Sequence, residues 1–122
     1  MAPAFFPNPK PLKAVSTVFD LKDRLEWGEP ALTIIDVRDR VLFNESRILG
    51  AISIPMDELV ARVSVSLENE RDIYVYGGTD DVTANAAAKL RAAGYRNVAE
   101  LMGGLGAWQA VSGTTEGSLA VS

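Results

Sequence analysis

The chain has 122 residues, 48% hydrophobic and 23% charged, enough for one domain with a sizeable core. Its 12 basic and 16 acidic residues leave a net charge of −4 with no basic run, which argues against nucleic acid or an anionic membrane as partner. Cysteine and histidine are both absent, which excludes disulfides, thiolate chemistry, Cys/His metal sites and imidazole acid–base catalysis.

Residues 1–11 carry four of the six prolines and are expected to form an extended arm, with Phe5 and Phe6 free to dock on the domain or a partner. Leu12 to Val15 reads as a short strand. Ser16 or Thr17 then caps a helix, with Asp20 three residues beyond Thr17. Val18, Leu21 and Leu25 fall at helical spacing, and Gly28 with Pro30 ends the helix. Phe19 and Trp27 are read as packing residues. Ala31 to Val37 is a continuous apolar run ending in Asp36, the pattern of an inner strand covered on both faces. Asp36, Arg38, Asp39 and Arg40 follow at its carboxyl end, where open α/β sheets place their ligand crevice. The plainer reading is that Asp36 and Arg38 tie the loop down by ion pairing and hydrogen bonds.

Val41 to Glu45 suits a short helical turn, and 48–55 a turn into a short strand stopped by Pro55. Residues 56–67 read as an amphipathic helix with Leu59, Val60 and Val63 on one side, and 68–72 as a polar connector. Ile73 to Tyr76 is a β-branched and aromatic run that reads as a buried strand. Gly77 and Gly78 break it, and an alanine-rich helix is expected over 83–93, closed by Gly94. Strand, tight loop and helix N-terminus make a cradle of backbone N–H groups, a common seat for an anion or an activated nucleophile. This cradle, 77–83, contains no Cys, Ser, His or Arg. Val98 to Leu101 is a further strand, and 103–108 a turn into a last helix with Trp108 as core anchor. Residues 113–122 are small and polar and are expected to fray. Strands alternating with helices indicate an α/β class with a mostly parallel sheet.

At three places the residues converge on one family. Asp36-Val37-Arg38, then Phe43, then Gly50-Ala51-Ile52-Ser53-Ile54-Pro55 resembles the first signature of rhodanese-like domains, with Ser46-Arg47-Ile48 where Gly-His-Ile is usual. Gly103-Gly104-Leu105-Gly106-Ala107-Trp108 resembles the family's Gly-Gly-x-x-x-Trp. Val75-Tyr76, a six-residue loop, then Thr83, Ala86, Ala87 and Leu90 resembles its active-site strand, loop and helix. The likeness spans about residues 14–112. It implies a three-layer α/β/α sandwich around a mostly parallel five-stranded sheet, as one domain over 12–112 between the arm 1–11 and a flexible tail 113–122.

In active members a Cys opens the loop, and its thiolate carries the transferred sulfur while loop N–H groups hold the persulfide; a phosphatase branch uses a longer loop. The resemblance puts Gly77 at the Cys position, Asp80 at the loop glycine, Val82 at the usual Arg and Thr83 at the common Ser. Only the six-residue loop length survives. Without a side chain at 77, sulfur transfer by the family mechanism has no nucleophile. The helix N-terminus still favours an anion by roughly 0.3–1 kcal/mol. Asp80 and Asp81 oppose it, by about 1 kcal/mol for a unit charge at about 4 Å in water and about 4 kcal/mol at an effective dielectric of 20. Little affinity for thiosulfate or phosphate is expected.

The expected function is a catalytically inactive domain that binds or regulates a protein partner, with Gly77, Gly78, Thr79, Asp80, Asp81, Val82 and Thr83 as the surface to test. Asp36 and Arg38 are structural, and no catalytic residue, cofactor or metal is expected. The alternatives are an enzyme with a divalent metal on Asp36, Asp39 and Asp80, attack by Thr79 or Thr83, a sulfur-carrier-related role without its own cysteine, or a domain kept for stability or assembly alone. The chain is expected to be monomeric and cytoplasmic, with neither a membrane span nor a signal peptide.

Overall fold

The computed structural model describes residues 12–26 and 31–118. Five strands form one parallel sheet: β1 (Val15–Ser16), β2 (Leu32–Asp36), β4 (Ile52–Ser53), β5 (Asp72–Tyr76) and β6 (Val98–Leu101), in the spatial order β1-β6-β5-β2-β4. β5 is central, with Ile34 opposite Tyr74 and Asp36 opposite Tyr76 on one side and Tyr74 opposite Ala99 on the other. The long apolar runs of β2 and β5 follow from this placement, because an inner strand of a parallel sheet has no solvent face.

Side-chain alternation divides the interior into two cores. Ile35, Val37, Ile73, Val75 and Val98 face α3 (Leu59–Ser66) and α4 (Asp80–Ala92), which bury Leu59, Val63, Ala86, Ala87 and Leu90 against them. Ile34, Tyr74, Tyr76, Ala99 and Leu101 face α1 (Val18–Glu26) and α5 (Gly104–Ala110), which contribute Val18, Leu21 and Trp108. The result is the α/β/α sandwich that the family resemblance implied. α2 (Arg40–Glu45) buries no residue.

Several elements differ from their sequence reading. β1 lies at 15–16 rather than 12–15, where Val15 and Ser16 pair with Glu100 and Leu101. Phe19 is not a packing residue: it is 65% exposed, more than about a third of a turn from the middle of the stripe of Val18 and Leu21. Residues 56–58 form a separate 3-10 turn before α3, and Val60 is exposed while Leu59 and Val63, one turn apart, are fully buried. Asp72 belongs to β5, not to the connector before it. α4 begins at Asp80 rather than 83, because Thr79 is its N-cap: Thr79 Oγ1 accepts the Val82 N–H at 3.2 Å. Part of the stretch read as a frayed tail is paired. Thr115–Glu116 forms β7, antiparallel to β3 (Arg47–Ile48). The arm 1–11 with Phe5 and Phe6, Trp27, Gly28, Pro30 and residues 119–122 lie outside the described residues.

Candidate functional site

The loop after β5 lies at the carboxyl end of the central strand, between the ends of β2 and β6. Its conformation is held by two threonine hydroxyls. Gly77 N–H donates to Thr83 Oγ1 at 2.8 Å, and that hydroxyl donates to the Thr79 carbonyl at 3.0 Å. Thr83 is 2% exposed, so the bond from Gly77 is shielded from water, while the one to the exposed Thr79 is partly so. Asp80 reaches out of the loop: its Oδ1 accepts the Gly103 N–H at 2.8 Å, joining the first turn of α4 to the turn before α5.

That second turn can approach because it is glycine. Gly103 and Gly104 have φ of 77° and 51°, which L side chains rarely adopt, and a β-carbon on Gly104 would lie 3.2 Å from the Gly77 carbonyl oxygen. Between the two turns is a shallow cleft of about 230 Å³ lined by Gly77, Gly78, Thr79, Asp80, Gly103 and Gly104. Its walls are backbone, one hydroxyl and one carboxylate. They offer hydrogen bonds and negative charge but no nucleophile and no cationic group. A smaller hollow on the far side of Asp80 is lined by Val15, Thr83, Glu100 and Met102, with Val15 and Met102 about half exposed.

Asp36 and Arg38, at the end of β2, are tied to each other. Arg38 Nε and Nη2 hold the carboxylate at 3.0 and 2.7 Å, the Arg38 N–H donates to Oδ1 at 2.9 Å, and Nη2 also donates to the Ser46 carbonyl at 2.6 Å. Asp36 is fully buried. Burial pulls the Arg38 guanidinium down, but the hydrogen bond and charge of Asp36 outweigh it and leave it above its ordinary value. Tyr76 completes the group: its ring lies 5.7 Å from the Arg38 guanidinium carbon, and its hydroxyl accepts the Ile48 N–H at 3.2 Å. Burial, reinforced by the Asp36 charge, pushes the Tyr76 phenol well above its ordinary value.

The residues read from sequence thus fall into two groups. Gly77 to Asp80 line the mouth and Thr83 supports it from within, Asp81 and Val82 lie outside its lining, and Asp36 is consumed by Arg38 while Arg40 is paired with Glu58 at 3.0 Å. Among the described residues no three acidic side chains come together as metal ligands, so Asp36, Asp39 and Asp80 do not form the carboxylate set considered above. Sequence reasoning missed that Gly103 and Gly104 form the opposite wall of the mouth. The signal was present, since two glycines before a helix mark a turn that another backbone can approach, but nothing local says which backbone.

The comparisons with known proteins agree with this geometry. The family profile described as Rhodanese-like domain matches residues 17–111. The crystal structure of the Alr3790 protein from Anabaena sp. is 56% identical with a TM-score of 0.82, covering 84% of this chain and 80% of that one. The BH2092 protein from Bacillus halodurans is 31% identical with a TM-score of 0.78, over 86% of this chain and 77% of that one. A thiosulfate sulfurtransferase from Pseudomonas aeruginosa is 28% identical with a TM-score of 0.77, over 86% of this chain but only 20% of that longer chain. No curated protein matches in sequence. With sheet order, loop position and a family match over most of its length in accord, the chain belongs to the rhodanese-like domain family.

Proposed function

We propose that this domain is catalytically inactive and works as a protein-binding or regulatory module, acting as a monomer on a protein partner. The observation that carries the reading is Gly77, which stands at the nucleophile position of a chain without any cysteine. A sulfur atom passed to the loop has no side chain to form a covalent bond with. The threonine hydroxyls are poor replacements, because Thr83 Oγ1 already accepts one bond and donates another, Thr79 Oγ1 accepts the Val82 N–H, and the acidic groups beside them are Asp80, whose Oδ1 accepts the Gly103 N–H, and Asp81. The carboxylate-and-metal alternative loses its main ligand, since both Asp36 oxygens are bonded to Arg38. What remains at the mouth is glycine backbone, the Thr79 hydroxyl and the acidic Asp80, with the exposed Asp81 next along the chain.

The test has two arms. Incubated with thiosulfate and cyanide, the purified chain is expected to form no thiocyanate above the protein-free rate; turnover that survives rigorous repurification overturns inactivity. Capture from the native cell extract with the wild-type chain and with Asp80→Lys/Asp81→Lys is expected to retain a protein that the variant loses. Identical capture by both removes the loop as the binding surface.

A further inference from the structure

We infer that Val82 occupies the space a side chain at position 77 would need, so that the residue at 82 sets what position 77 can carry. A β-carbon built on Gly77 would lie 2.7 Å from Val82 Cγ1, 3.2 Å from Val82 Cβ and 3.3 Å from Val37 Cγ2. Carbon atoms in favourable contact are about 3.5–4.0 Å apart. The backbone does not demand glycine there: Gly77 is absent from the glycines with positive φ. The demand comes from the neighbour. Gly78, next along the loop, also lacks a positive φ, and its β-carbon would meet nothing within 4 Å.

Val82 can yield only in part. Turning about χ1 moves Cγ1, for which its 38% exposure leaves room, but leaves Cβ where it is, 3.2 Å from the added atom. Its backbone is fixed by the bond to Thr79 Oγ1 at 3.2 Å and by the next residue, whose N–H donates to the Thr79 carbonyl at 3.0 Å. On the other side Val37 is buried in the core. The residue at 82 therefore decides what position 77 can carry, and a cysteine returned at 77 alone must first displace a valine. The space a β-carbon at 77 would enter is taken, whereas the cleft of about 230 Å³ between this loop and the Gly103 turn stays open. The inference needs no partner to exist, and failure of the proposed binding role leaves it intact.

A substitution cycle on the full chain, read as the thermal unfolding midpoint, tests it with Gly77→Ala, Gly78→Ala, Val82→Ala and Gly77→Ala/Val82→Ala. Gly77→Ala adds only the atom in question and is expected to lower the midpoint by about 4–8 °C, the shift that modest overpacking gives in a domain near this size. Gly78→Ala is expected to stay within about 1 °C of wild type or rise slightly, since an alanine that fits reduces the freedom of the unfolded chain. In the Val82→Ala background the Gly77→Ala penalty is expected to fall by half or more. The inference is overturned if Gly77→Ala costs no more than Gly78→Ala, or if its penalty is the same in both backgrounds. Should Gly77→Ala fail to fold, the double variant decides: folding there supports the interlock, and failure there overturns it.

Discussion

Arg38 holds a carboxylate that is 0% exposed, and the guanidinium fits it as a fork, two N–H groups to two oxygens. Removing one partner of such a pair leaves an uncompensated buried charge, which costs more than the pair itself contributes. Arg38→Ala is therefore expected to lower stability by about 3–5 kcal/mol in urea unfolding. Arg40→Ala, whose contact to Glu58 lies at the surface, is expected to leave it almost unchanged. Tyr76 adds a pH dependence. Its phenol is ordinarily half-ionised near pH 10.0, and burial raises that value in the folded chain. An acid with a raised folded value leaves stability intact below pH 10.0 and erodes it as pH climbs from there, since the unfolded chain ionises first. Urea midpoints are expected to fall between about pH 10 and 11.5, with a slope of up to about 1.4 kcal/mol per pH unit for this group. Tyr76→Phe is expected to flatten that slope, while costing about 1–3 kcal/mol at pH 7 because the Ile48 N–H loses its acceptor. A wild-type slope that Tyr76→Phe leaves unchanged places the alkaline sensitivity elsewhere.

The helix starts were legible to different degrees. At α1 the Thr17–Asp20 pairing is visible in the sequence and reciprocal in space: Thr17 N–H donates to Asp20 Oδ2 at 2.8 Å and Asp20 N–H to Thr17 Oγ1 at 3.2 Å. At α4 the alanine run hid a start three residues earlier, because Thr79 with two aspartates reads equally well as loop. The end of α3 lies beyond any local signal. The Val63 carbonyl, which also accepts the Leu67 N–H at 2.9 Å, and the Leu67 carbonyl just past the helix share the Tyr95 hydroxyl at 2.8 and 3.0 Å, from a residue about thirty positions away. β7 was missed for the same reason: a polar stretch looks free until its partner is known. The Thr114 carbonyl accepts the Leu49 N–H at 3.0 Å and the Trp108 indole N–H at 2.9 Å, and Glu116 Oε1 accepts the Gly50 N–H at 3.2 Å. Ending the chain at Gly113 is therefore expected to cost about 2–4 kcal/mol in urea unfolding, several bonds at about 0.5–1.5 kcal/mol each. An unchanged midpoint would mean that 114–122 contributes as little as a frayed tail.

For the molecule as a whole, class and chemistry were readable without coordinates. Apolar runs at Ala31–Val37 and Ile73–Tyr76 require inner strands, and alternation with helical patterns requires crossovers, so a parallel α/β sheet follows from contiguous residues alone. The absence of thiolate and imidazole is likewise a property of the residue inventory, and no fold can supply an atom the chain lacks. Which residues face each other is different in kind, because those contacts join positions far apart along the chain and leave no periodic trace. That Asp80 straps the Gly103 turn, that Val82 stands where a β-carbon at 77 would go, and that Thr114 caps both Leu49 and Trp108 came only with the packed domain. Local pattern reports what each segment must bury, whereas the order in which five strands lie side by side sets what each buries it against.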